Sequence, residues 1–322
     1  MLAPKLGSRR GLVLACGLNP RYSKIDPAAM AECALDEAMR NLVAAGGDPE
    51  NTAVLDNYCW GNTGREDQLG GLVRASFALR DLALVLRTPF VSGKDSLNNE
   101  FRDGERTIAI PGCILVTALS VIPDVARTLT TDLKRAGNLL VLVGSTKREL
   151  GGSAYWKALG HLGASVPRVD AAQAKKNLDM VARAIAARAV RSAHDLSEGG
   201  LLVAAAEMAI GGRLGFELDL AAVPTSGMPG EATAADAALR PDEVAFSESQ
   251  SRFLLEVEPD RLEDLRVNLF EVPWAVVGRV TNERTLVIQR QGHDLARVDL
   301  DAAVAAWKQP LDLDGTLTES RR

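Results

Sequence analysis

Apolar positions return along this chain with two periods, one near four residues and one near two, and they mark where helices and strands begin. Met30, Ala34, Ala38 and Leu42 form one helical stripe between Pro27 and about Ala45. Asp26 ahead of Pro27 is a strong helix start, and Gly46-Gly47 a stop. Before this helix, Gly11–Leu18 reads as a buried strand. After it, Thr52–Leu55 reads as a buried strand running into a polar turn at Asp56-Asn57, and a second long helix covers Gln68–Leu86. Phe90-Val91 leads into a polar loop, Ser92-Gly-Lys-Asp-Ser96. Asp103-Gly104 between two extended stretches is a hairpin signal, and Cys113–Ile122 is a further β-branched strand.

The pattern changes across the polar stretch Thr130–Gly137, which places a boundary between a domain of residues 1–131 and one of residues 132–322. The second part opens on the strand Leu139–Val143 and continues with helices from Ser153, over Ala171–Ala187 and from Ser197 to Ile210. A strand lies near Val190–Ala193, and extended segments follow at Gly215–Leu220, Arg252–Val257, Trp274–Val280 and Thr285–Gln289. Pro224–Glu231 reads as a surface loop. Helices interleaved with strands and hairpins give an α/β first domain and an α+β second one.

Composition narrows the function classes. Hydrophobic residues make up 47% and charged residues 25% of 322, ordinary for a globular protein with room for two cores. Aromatics are 4%, the net charge is −5 and no basic tract stands out, which speaks against a nucleic-acid partner. The apolar runs are all too short to span a membrane, and the N-terminal run lacks a small-residue cleavage pattern, so the expected location is cytoplasmic. Cys16, Cys33, Cys59 and Cys113 show no CxxC spacing and read as reduced cysteines packed like small apolar residues. His161, His194 and His293 lie too far apart in sequence to suggest zinc.

Three segments can carry chemistry. Glu37 and Asn41 are four apart on the first helix and share a face, two hard oxygen donors suited to Mg²⁺. The same spacing also describes a solvated face, and Asp36 and Arg40 beside them read as surface charge. Ser192-Ala-His-Asp-Leu-Ser-Glu-Gly-Gly200 follows a strand and opens a helix. There Ser197 reads as the N-cap and Gly199-Gly200 would let an anion approach the backbone N–H groups, or simply close a capped helix. Asp195 can hold a cation bridging to phosphate, while His194, its neighbour on a strand, is expected on the opposite side. Ser92-Gly-Lys-Asp-Ser96 lacks the GxxxxGK[ST] spacing of a P-loop, yet offers a cation and hydroxyls to phosphate, or is an ordinary polar turn.

Taken together, Gly17-Leu-Asn-Pro-Arg21, Ala34-Leu-Asp-Glu-Ala-Met-Arg-Asn41, Leu55-Asp-Asn-Tyr-Cys-Trp60, Pro89-Phe-Val-Ser-Gly-Lys-Asp-Ser-Leu-Asn-Asn-Glu100, Ala193-His-Asp-Leu-Ser-Glu-Gly-Gly-Leu201 and Phe246-Ser-Glu-Ser-Gln-Ser-Arg252 resemble the phosphoribosylformylglycinamidine synthase family, within the aminoimidazole ribonucleotide synthetase superfamily. The resemblance covers essentially the whole chain and corresponds to the C-terminal of two homologous halves of that enzyme. It implies a two-domain synthetase-like fold, an N-terminal domain whose strands pair with a partner's into a barrel, and ATP- and Mg²⁺-dependent conversion of formylglycinamide ribonucleotide in purine biosynthesis. By resemblance, Glu37, Asn41 and Asp195 bind Mg²⁺, Ser197, Asp56 and Gly93 contact ATP or ADP, and Ser96 contacts the substrate. A metal-ligand asparagine of the family is Lys94 here, which would meet phosphate as a point charge. The catalytic histidine belongs to the N-terminal half, so no catalytic residue is assigned. Expected partners are that half, an ammonia-supplying glutaminase and, for this half alone, a second copy in a homodimer. Two alternatives stay open: a structural half holding a non-turning-over ADP–Mg²⁺, and a non-enzymatic scaffold that docks the glutaminase.

Overall fold

A computed structural model describes residues 1–226 and 239–311 of the chain. The first part runs β1 (Gly11–Gly17), α1 (Pro27–Ala44), β2 (Thr52–Cys59), α2 (Glu66–Leu86), β3 (Phe90–Ser96), β4 (Glu100–Asp103), β5 (Arg106–Ala109) and β6 (Cys113–Ile122). The second runs β7 (Leu139–Val143), α3 (Ala154–Ala158), α4 (Ala171–Ala186), β8 (Ser192–Asp195), α5 (Gly200–Gly212), β9 (Gly215–Asp219), α6 (Pro241–Phe246), β10 (Phe253–Val257), α7 (Leu262–Asn268), β11 (Trp274–Thr281), β12 (Thr285–Arg290), β13 (His293–Asp299) and α8 (Leu300–Lys308). Residues 227–231 of the expected surface loop lie outside the described residues.

The four-stranded sheet has the order β1-β6-β2-β3, antiparallel except for the parallel β2–β3 pair. The seven-stranded sheet has the order β13-β12-β9-β11-β7-β10-β8, antiparallel except for β12–β9. β4 and β5 form the hairpin expected around Asp103-Gly104, with Asp103 opposite Arg106. Among the described residues no helix is long and apolar enough to cross a membrane.

α1 is the element on which the two parts meet. It packs on β1, β6 and α2 of its own part and on α4 and β8 of the other. One apolar core accordingly runs from Val13, Ala34 and Val116 through α1 to Val141, Leu178 and Phe253. A second core lies between α5 and the other face of the large sheet, around Leu201, Met208, Phe216 and Leu254. The Asp26 carboxylate accepts from the Ala28 N–H, as its N-cap position requires.

Among the described residues, helices cover the small sheet on one face only. Val13, Val54, Ile114, Val116 and Ala118 are buried beneath α1 and α2, whereas Leu14, Leu55 and Val121 stand 39–43% exposed on the other face. Gly11–Leu18 and Thr52–Leu55 are therefore half-buried strands rather than fully buried ones. The four cysteines are free, but only Cys33 is buried and Cys16 is exposed on that open face. Two expected loops are strand instead. β2 runs through Asp56-Asn57 to Cys59, and Ser92–Ser96 continues β3, because β2 and β3 hold each other in parallel register from Leu55↔Ser92 to Cys59↔Ser96. Backbone pairing here overrides the low strand propensity of Asp, Asn and Gly.

Candidate functional site

A cavity of about 200 Å³ lies where α1 meets the end of β8 and the start of α5, and Glu37, Asn41, His194, Asp195, Ser197, Glu198, Ala204 and Glu207 line it. The structure thus brings together four of the residues singled out in the sequence, Glu37, Asn41, Asp195 and Ser197, from segments more than 150 positions apart. Glu37 is held by one oxygen: its Oε2 accepts from the Asn19 amide at 2.7 Å and from the Leu18 N–H at 3.3 Å. The Asn41 amide donates to the Cys16 carbonyl at 3.1 Å, which orients that side chain and leaves its oxygen as the acceptor end.

Asp195 is bound on both sides. Its Oδ2 takes Arg40 at 3.2 Å and the Ser197 hydroxyl, while Oδ1 lies 3.2 Å from His194 Nδ1. His194 also reaches its own neighbour's carbonyl at 2.6 Å and Glu207 at 3.0 Å. The expectation that His194 points away from Asp195 fails: at this last step of β8 the His194 ring reaches both the carbonyl and the carboxylate of Asp195, and its other nitrogen is held by Glu207 of α5. Burial works against the imidazolium, but hydrogen bonds to Asp195 and Glu207 outweigh it and push His194 up to about 10.

The cavity is rich in carboxyl groups. Burial first, then the neighbouring Glu198 and Asp195, push Glu37 up to about 8, against the opposing pull of Arg40 and Asn19. Glu198 is raised mainly by its own burial, with Glu248 and Asp195 adding to it. Asp195 is held low despite complete burial, by His194 and Arg40. Carboxylates crowded this way favour a cation. Among the described residues no three His, Cys, Asp or Glu side chains form a ready-made metal cage. The donor set, Glu37, Asn41 and Asp195, suits instead a Mg²⁺ ion that takes one or two carboxylates and completes its shell with phosphate oxygens and water.

Three expectations about this region need correction. Asp36 and Arg40 are fully buried, not surface charge: Arg40 Nε bonds Asp36 at 2.6 Å, and Asp36 accepts from the Ser251 N–H at 2.9 Å and hydroxyl at 2.7 Å. Ser197 is not an N-cap, since α5 begins at Gly200 with Gly199 in the left-handed region at φ 80° as its cap. The Ser197 hydroxyl donates to Asp195 and accepts from Arg40 at 3.0 Å, so toward a ligand it has a lone pair and no proton to offer. Nor do the two glycines open the helix end to an anion. The Gly199 N–H donates to Glu248 at 2.7 Å, and a Cβ on Gly200 would meet the Ser247 carbonyl at 2.4 Å. Glu248 itself fills the anion position, taking the Ala154 N–H at 2.8 Å and the Tyr22 hydroxyl at 2.5 Å as well.

The remaining sequence candidates lie elsewhere. Asp56, between the buried Val54 and Tyr58, is on the helix-covered face and lines a cavity of about 580 Å³ between β2, β3 and α2. Gly93 sits opposite it, and a Cβ there would fall 2.3 Å from Asp56 Oδ1. Burial, then Asp95, raise the Asp56 carboxyl. Lys94 and Ser96 are hydrogen-bonded to each other, opposite Asn57 and Cys59 on the open face. None of these four lines the Glu37–Asp195 cavity. Glu198, Glu207 and Gln250 were missed as neighbours of the site. Glu207 had a signal, as the one carboxylate in the otherwise apolar run Leu201–Ile210.

Residues 2–114 match the model of the AIR synthase related protein N-terminal domain, and residues 135–291 that of its C-terminal domain. The chain is 33% identical over 303 residues to the phosphoribosylformylglycinamidine synthase subunit PurL of Thermococcus sibiricus, covering 94% of this chain and 40% of the relative. Against PurL of Deinococcus radiodurans the identity is 33% over 312 residues, with 95% and 40% covered. The chain therefore spans 40% of the length of these curated relatives. Thermotoga maritima PurL complexed with FGAR superposes with a TM-score of 0.76 at 19% identity, covering 92% of this chain and 46% of that one. Escherichia coli HypE superposes with 0.65 at 15% identity, covering 90% and 85%. The two solved structures share the fold, and this chain covers most of HypE but under half of PurL. With both domain models matched in order along its length, this chain belongs to the AIR synthase related family, as a PurL-like member.

Proposed function

We propose that this chain is the C-terminal half of a phosphoribosylformylglycinamidine synthase, an ATP-dependent C–N ligase of purine biosynthesis, and that the cavity between α1 and β8 holds its Mg²⁺-bound adenine nucleotide. The observation that carries the reading is the convergence of Glu37, Asn41, Asp195 and Ser197 on one acidic cavity. Glu37, Asn41 and Asp195 would hold the ion, with Ser197 lending a lone pair beside it. When bound, Mg²⁺ supplies the positive charge that an anionic nucleotide needs in so acidic a place. T. maritima PurL has been solved in complex with ATP, AMPPCP and ADP, in keeping with a nucleotide site in proteins of this fold.

Asp56, Gly93, Lys94 and Ser96 belong in this reading to a second site, completed by whatever covers the open face and free edge of the small sheet. Asp56 and Gly93 would meet ATP there, Lys94 its phosphate and Ser96 formylglycinamide ribonucleotide. The cover is the homologous N-terminal half of the enzyme or, for this chain alone, a second copy in a homodimer, with a glutaminase supplying ammonia. Residues 1–131 and 132–322 are taken as the two domains, and the location as cytoplasmic. An assay of the purified chain with ATP, formylglycinamide ribonucleotide and ammonia tests the division of labour: negligible turnover is expected without the other half. Multiple turnovers would show that the catalytic residues lie within these 322 positions.

One observation favours a second reading, in which the nucleotide is a structural ADP–Mg²⁺ that does not turn over. Asp195 and Ser197 are tied to buried Arg40 rather than to a movable loop. Exchange of bound nucleotide with added labelled ATP separates the two, since a structural ligand stays in place.

A further inference from the structure

The Arg40 guanidinium is fully buried and its three nitrogens reach three separate segments. Nε bonds Asp36 on its own helix; NH2 bonds Gln250 at 2.9 Å; NH1 bonds the Leu196 carbonyl at 2.7 Å, Ser197 Oγ at 3.0 Å and Asp195 Oδ2 at 3.2 Å. Asp36 in turn holds Ser251. The consequence for Asp195 is geometric. One of its oxygens, Oδ2, is fixed by Arg40 and Ser197, so the other, Oδ1, is the one turned toward His194 and the cavity lining.

We propose that Arg40 is a positioning residue of the cation site: by clamping Asp195 Oδ2 and Ser197 Oγ to α1, it fixes which carboxylate oxygen a divalent cation can take and at what place relative to Glu37 and Asn41. This rests on the reading of the cavity as a Mg²⁺–nucleotide site. Its physical basis is the rigidity of a planar fork. A guanidinium with all three nitrogens engaged holds its acceptors in one arrangement, whereas an ammonium at the same place keeps the charge but not the fork. Asp36→Asn provides the comparison, because asparagine keeps an oxygen to accept from Arg40 Nε, so the fork stays engaged, and position 36 touches none of the cavity residues in the chain of bonds above. A role in folding alone would make Arg40 and Asp36 equivalent.

The test uses the full chain with Mn²⁺·ADP as probe, read by electron paramagnetic resonance and calorimetry, on the wild type, Arg40→Lys, Asp36→Asn and Asp195→Asn. The expected result is that Arg40→Lys and Asp36→Asn both lower the melting temperature, but only Arg40→Lys weakens Mn²⁺·ADP binding, by about tenfold or more, and broadens the Mn²⁺ spectrum. Equal affinity in wild type and Arg40→Lys, or equal loss in Arg40→Lys and Asp36→Asn, overturns the proposal while leaving the nucleotide site standing. If the wild type binds no Mn²⁺·ADP, or Asp195→Asn binds it unchanged, the underlying reading falls and the proposal with it. Should Arg40→Lys fail to fold, Gln250→Ala loosens the same guanidinium from its NH2 side. A loss of affinity of about threefold or more is then expected, and unchanged affinity overturns the role of Arg40.

Discussion

Replacing Glu37 by Gln should change how the stability of the metal-free protein depends on pH. In the folded chain Glu37 keeps its proton to about 8, against 4.5 for an ordinary glutamic acid, first because it is buried and then because Glu198 and Asp195 are near. The sign follows from linkage. A carboxyl whose folded value is raised contributes stability that is fully present below pH 4.5 and is lost as pH rises through 8, because the unfolded chain releases that proton first. Between about pH 6 and about pH 9 the loss due to this one group is about 3 kcal/mol as an upper figure. Glutamine is neutral at every pH and nearly the same shape, so Glu37→Gln should lack that component. His194, raised to about 10, declines over part of the same window in both proteins and cancels in the comparison. Urea denaturation of wild type and variant at the two pH values measures the difference directly. Wild type should lose about 2–3 kcal/mol more than the variant on going to the higher pH. Parallel curves would mean that Glu37 is already ionised at neutral pH and that the cavity is less acidic than its geometry indicates.

Other outcomes follow from separate features. Asp195→Asn should weaken Mg²⁺·ADP binding at least about tenfold by calorimetry, and unchanged affinity would remove Asp195 from the site. Leu55→Asp on the open face of the small sheet should convert a homodimer to a folded monomer in light scattering, and a wild type that is already monomeric at micromolar concentration would contradict the assembly proposed. Gly93→Ala places a methyl 2.3 Å from Asp56 Oδ1, the far end of a side chain that takes the Lys94 N–H and can rotate. The melting temperature should therefore move by only a few degrees, while any ATP affinity that depends on Asp56 falls. Retained affinity would detach Asp56 from ATP.

The elements with a single apolar face were legible in the residues alone. α2, α4 and β6 lie close to where periodicity puts them, and the Asp103-Gly104 hairpin is where its turn residues put it. What periodicity could not show was the far side of α1. Asp36 and Arg40, four apart, look the same whether they face water or a second domain, and only the other residues of the helix distinguish the cases. Pro27–Ala44 has Ala, Met, Cys, Leu or Val on every side, and a helix that is apolar all round is a buried one. That signal was present, but the acidic and basic residues on it drew the opposite conclusion. The site was half legible for a similar reason. Glu37 and Asn41 share a face by spacing, and Asp195 and Ser197 stand out by residue type. The occupation of the α5 N-terminus by Glu248, 49 positions away from Gly199, depends on a tertiary contact that local capping rules do not contain. Lys94 and Ser96 looked like a loop because strand propensity is judged one residue at a time, while β3 is strand through its pairing with β2.

α1 is shared property between the two halves of the molecule, and this bears on how the chain can come apart. A cut between Thr131 and Asp132 would leave one fragment with a helix stripped of α4 and β8, and the other with Asp195 and Gln250 facing the vacated place of a guanidinium and Ser251 facing that of the Asp36 carboxylate. Neither fragment is complete as a folding unit. In the intact chain the amides of α1 can exchange with solvent only when both halves let go of it together, so their protection should approach that of global unfolding. Slow exchange there would mark the two domains as one cooperative body with a seam rather than a hinge.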